Sequence, residues 1–145
     1  MNLVQSLTFT VLICASVAGV AEIDGEVTDR AKRLLVADTY PAFSYGMTQA
    51  LIAKGYTEDD AHSAVAKAVF RFVDCFVDEF ERDDSNISVG FIVWMSDADT
   101  FKRTNSLMIE NFSSDENALH RAKHERFYDL CRDTVKSELH VEIPK

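Results

Sequence analysis

A chain of 145 residues, 47% hydrophobic and 27% charged, is long enough to bury one sizeable core and too short for two ordinary domains. Its 24 acidic and 15 basic residues give a formal net charge of -9. That balance argues against nucleic acid or an anionic membrane surface as a long-range electrostatic partner, and fits a cationic partner or simple solubility.

The amino terminus is uncharged from Leu3 to Ala21, with an apolar core from about Leu7 to Val20, and the pattern stops at Glu22. Small residues at Gly19 and Ala21 suit a cleaved bond, so residues 1–21 are read as a secretory signal peptide and residues 22–145 as a single helical domain. The signal lacks Lys or Arg at its start, which leaves a retained anchor as the alternative. Its apolar core is shorter than the roughly 20 residues that span a bilayer. Lipidation at Cys14 is disfavoured by the bulky Ile13 before it, and Cys14 is expected to leave with the signal. The expected location is secreted or periplasmic.

Removing Cys14 leaves Cys75 and Cys131 in an oxidising compartment, and a Cys75–Cys131 disulfide is expected. Closing that loop stabilises the fold by about 4 kcal/mol in the chain-entropy account.

Glu22 to Val27 reads as a polar leader, with Thr28 capping a short helix to about Asp38 that packs through Ala31, Leu34 and Leu35. Pro41 is expected to end that helix and begin another, which runs to Lys54 with Phe43, Met47, Ala50, Leu51 and Lys54 inward and Tyr40 and Tyr45 at its margins. Gly55 supplies the stop. Thr57 with Asp60 three residues on imitates a capping box for a third helix. Its apolar stripe runs from Ala61 through Val65, Val69, Phe72, Val73, Phe76 and Val77 to Phe80, and marks the centre of the core.

Ile87 to Met95 is an almost unbroken apolar run whose periodicity does not classify it. One strand without a partner is not a stable unit, so a buried helix is favoured. Ser113 and Glu116 form a capping box for a last helix from Ser114 to about Leu139, with Leu119, Ala122, Phe127, Leu130, Cys131 and Val135 inward. The tail from His140 to Lys145 is expected to be extended or frayed. The fold class is therefore all-α, a small bundle of four to six helices closed by one disulfide.

Chemistry is sparse. Glu116, His120 and His124 recur every four residues and stack along one side of the last helix, a spacing that can hold zinc between two imidazoles and a carboxylate. The same side continues through Phe127 and Cys131, so the competing reading is a packing face. His62 lies at the edge of the third helix's stripe. Asp97 and Asp99 alternate like calcium ligands, but the glycine and closing Glu of a calcium loop are missing. Asn86 and Asn111 each begin a glycan acceptor tripeptide, relevant in a eukaryotic secretory route. No glycine-rich phosphate loop, nucleophile elbow or catalytic cysteine context occurs, so no enzyme and no resident cofactor are expected. The leading expectation is an exported protein-binding module, an inhibitor or immunity-type factor, whose partner has a basic surface. The alternative is a small-ligand or metal carrier using the His120 and His124 side.

Overall fold

The computed structural model describes residues 24–83, 86–96 and 115–145. The signal segment, Cys14, Asp97, Asp99, Asn111 and Ser113 lie outside these residues, as does the side chain of Asn86. Among the described residues the protein is all-helical, with four helices: α1 (Gly25–Ala53), α2 (Glu58–Asp83), α3 (Asn86–Met95) and α4 (Asp115–Leu139). None of these helices is long and apolar enough to cross a membrane.

α1 begins earlier than expected. Asp24 is its N-cap, accepting from the Glu26 backbone N–H at 3.2 Å, while Thr28 is buried inside the helix and donates its hydroxyl to Glu81 on α2 at 3.3 Å. α1 also runs straight through Pro41, which was expected to divide it. The reason is packing continuity. Thr28, Ala31, Met47, Thr48 and Leu51 are buried, and Leu35, Tyr40 and Phe43 join them, so one inward stripe crosses the proline. Pro41 deprives the Ala37 carbonyl of its helical donor, but both residues face solvent, where that carbonyl can be hydrated. Pro41→Ala is therefore expected to raise stability by about 1–2 kcal/mol, the helix-interior penalty of proline less its restriction of the unfolded chain. Thermal or urea unfolding of the two proteins checks this. Ala50 and Lys54, expected inward, are exposed because the stripe follows Met47 and Leu51.

The stop after α1 has the predicted chemistry. Gly55 adopts φ +97°, its N–H donates to the Ile52 carbonyl at 2.9 Å, and the Tyr56 N–H reaches back to Leu51 at 3.2 Å. This is the paired bonding of a Schellman cap. Thr57 then caps α2, its hydroxyl oxygen accepting from the Asp60 N–H at 3.2 Å.

α2 is the centre of the molecule. Ala61, Val65, Ala68, Val69, Phe72, Val73, Cys75, Phe76, Val77 and Phe80 are buried, each larger side chain contributing about 1.5–3 kcal/mol of transfer free energy. α1, α3 and α4 all pack against it. α1 lies antiparallel to α2, with Lys32 reaching Asp78 at 2.7 Å and Asp74 at 3.5 Å. α4 is antiparallel on another side, joined by the Cys75–Cys131 disulfide, with Cα atoms 5.6 Å apart, and by a two-pronged Arg71–Glu138 pair at 2.7 and 2.9 Å. The Arg71 guanidinium holds the Glu138 carboxyl below its usual range.

α3 is a helix, as the absence of a partner strand implied. Ser88, Phe91, Ile92 and Met95 are buried at helical spacing, while Gly90 and Val93 face solvent, which alternation would have placed with Ser88 and Phe91. The Ser88 hydroxyl donates to Asp83 at 2.7 Å, and Lys123 also pairs with Asp83, so the end of α2 ties α3 to α4.

α4 packs through Phe127, Cys131 and Val135. Leu130 and Ala122, expected on the same face, are exposed, since a face centred on Cys131 leaves residue 130 about a quarter turn aside. The tail is not frayed. His140 takes φ +56°, the chain reverses along α4, and Val141 and Ile143 are buried while Glu142 and Pro144 stay outside. Lys136 pairs with Glu142 at 2.9 Å, and the Tyr128 hydroxyl donates to the Pro144 carbonyl at 2.6 Å.

Candidate functional site

The residues proposed for zinc sit on α4, one turn apart, by virtue of its regular helix. The side chains of Glu116 and His120 lie outside the described residues. His124 is described, and it is half-buried against aromatic rings. Its ring meets Phe76 edge-on at 5.1 Å, Phe91 at 6.2 Å and Tyr128 in a stacked arrangement at 6.3 Å. These contacts carry the packing-face reading for His124. Among the described residues no three His, Cys, Asp or Glu side chains come together as a metal would require. His62 is exposed and within 3.8 Å of Glu58.

The four-residue row continues beyond His124 to Tyr128 and Arg132. These residues border a shallow open groove of about 350 Å³ together with Lys145. Burial pushes the Tyr128 hydroxyl above its ordinary titration range, with the Arg132 guanidinium opposing, so it remains a donor. Arg132 and Lys145 also border a second groove of about 450 Å³ between α1, α4 and the tail, where Gly46, Met47 and Ala50 form the α1 wall. The Arg132 guanidinium pairs with Asp129 on its own helix at 3.3 Å and lies 3.9 Å from Asp133, with its Nη1 buried.

A third feature lies on α1. From Asp38 to Lys54 the chain has no charged residue between these two ends, in a sequence that is 27% charged. Half of that segment faces the core, but Ala42, Tyr45, Gly46, Gln49 and Ile52 face solvent. Tyr45 is 78% exposed, Ile52 37% and, just past the Schellman turn, Tyr56 41%. The gap between charges was visible in the sequence; which half of it faced outward required the register of α1.

No protein-family model, curated protein or solved structure matches this chain.

Proposed function

We propose that this is a protein-binding module, in the manner of an inhibitor or immunity-type factor, and that it engages its partner through the outward side of the second half of α1. The observation that carries this reading is the exposed Tyr45, on a stretch of helix without charge in an otherwise strongly acidic protein. Keeping such a surface in water is unfavourable unless something covers it. Tyrosine is also among the side chains that most often anchor interfaces, because it offers a large rigid surface with a polar tip. The buried stripe of α1 packed on α2 holds the presenting helix on a firm base, which limits the entropy lost on association. The acidic remainder of the surface steers a partner whose contact patch has a basic rim.

The test is affinity capture from the native source without reductant, followed by binding measurements on the captured protein. Tyr45→Ala is expected to weaken the complex by about 2 kcal/mol, roughly thirtyfold, without changing the helical circular dichroism spectrum. Raising salt should slow association more than it speeds dissociation. A complex that tolerates Tyr45→Ala unchanged rejects this face.

A further inference from the structure

We infer that the free protein pairs with a second copy of itself, α1 against α1 and antiparallel, through an outward row on the second half of that helix. This rests on the same reading of α1 as a binding face, and names the occupant of that face when no foreign partner is present. Asp38, Ala42, Tyr45, Gln49, Ile52 and, just past the Schellman turn, Tyr56 follow one another at steps of four, three, four, three and four residues, and all are exposed. Alternating steps of three and four define the seam along which two helices interlock. The seam is additional to the side that α1 buries within its own fold, which carries Met47, Thr48 and Leu51.

The row is complementary to itself. An antiparallel pair related by a two-fold axis level with residue 47 sets Ala42 opposite Ile52 of the second copy and Tyr45 opposite its Gln49, small against large and phenol against amide. At each end Asp38 comes level with Tyr56 of the second copy, whose hydroxyl is a donor suited to a carboxylate. Charge selects the same surface. Two copies of a protein with net charge -9 repel each other, and a two-fold contact sets each acid of a patch near its own image. The stretch between Asp38 and Lys54 has no charge, so repulsion between copies is weakest there. The pairing runs along about three turns of helix, which makes it a small, reversible interface. A foreign partner with a basic rim therefore displaces the second copy rather than being shut out by it.

Sedimentation velocity of the folded, oxidised protein from about 1 µM to about 1 mM should show a reversible monomer–dimer equilibrium with a Kd of about 50 µM. Gln49→Glu and Gln49→Lys each bring like charges together beside the axis and should weaken the dimer roughly tenfold or more. Their equimolar mixture should recover a dimer containing one copy of each, because opposite charges then meet across the axis. Gln49 is exposed, so both variants keep the helical circular dichroism spectrum. Phe70→Gln, which removes an exposed apolar side chain from α2, should leave the dimer as it is. A protein that stays monomeric throughout, a dimer that tolerates both Gln49 variants, a mixture that fails to recover it, or a dimer lost with Phe70→Gln would each overturn the pairing. The two readings fail separately. A monomer whose captured partner is still weakened by Tyr45→Ala ends the pairing alone, whereas a dimer as described, with a captured partner indifferent to Tyr45→Ala, ends the foreign-partner reading alone.

Discussion

Replacing Cys75 and Cys131 together by Ala is expected to lower stability by about 4 kcal/mol, the loop-closure term for residues this far apart in sequence. The two positions are 56 residues apart and join the second half of α2 to the second half of α4. For a domain whose total stability is of order 5–15 kcal/mol, this is a large share. The loss should not be spread evenly. α2 holds α1 through a long shared stripe, whereas among the described residues α4 contributes Phe127, Cys131 and Val135 as buried apolar side chains. Without the sulfur bridge α4 is retained by those contacts, the Arg71–Glu138 and Lys123–Asp83 pairs, and the tail. Surface ion pairs of that kind contribute little individually. Hydrogen exchange should therefore show α4 opening well below the free energy of global unfolding, with α2 among the last segments to exchange. Urea unfolding should also give a larger m-value, since the unlinked unfolded chain exposes more surface. A loss under about 1 kcal/mol, with α4 exchanging in step with α2, would show that contacts rather than the covalent link hold α4.

Much of this architecture was legible before any coordinates. The α2 stripe from Ala61 to Phe80 gave the right helix and the right inward residues because a wide apolar face with polar flanks has one helical register. Gly55 and Thr57 marked the turn correctly since their roles are local: positive φ at one, a side-chain cap at the other. The pairing of Cys75 with Cys131 followed from counting. Readings failed where tertiary contacts overrode local preference. Pro41 is an ordinary helix breaker, but the inward stripe of α1 continues on both sides of it, and packing against α2 outweighs one lost hydrogen bond. The tail was left between extended and frayed because six residues with one proline carry little pattern, and only the reversal at His140, which brings Val141 and Ile143 under cover, excludes the frayed alternative. The candidate surfaces were less legible still. His124 could be ligand or packing residue by spacing alone, and the rings of Phe76 and Phe91 that decide its surroundings come from other helices. Arg132 belonged to the same four-residue row, yet the groove that it borders requires α1 and the tail.

Phe80→Ala is expected to destabilise the protein by about 3–5 kcal/mol, comparable to losing the disulfide but by a different route. Phe80 is fully buried where α2, α3 and α4 meet. Its ring lies 4.4 Å from Phe91 on α3, 4.8 Å from Phe127 on α4 and 5.1 Å from Phe76 one turn earlier, centroid to centroid. Removing it costs the transfer free energy of the ring, the cavity left behind and the edge-to-face contacts with Phe76 and Phe127. The site cannot collapse easily, because the rings of Phe76, Phe91 and Phe127 around it are fixed on three helices. Unlike the double cysteine variant, which acts largely through the unfolded chain, this change acts on the native state and should leave the m-value nearly unaltered. Phe70→Ala supplies the contrast: the same truncation on the same helix, at an exposed position, should stay within about 0.5 kcal/mol. If the two phenylalanines cost the same, the aromatic junction of α2, α3 and α4 is not the core, and the placement of α3 against Phe80 is wrong.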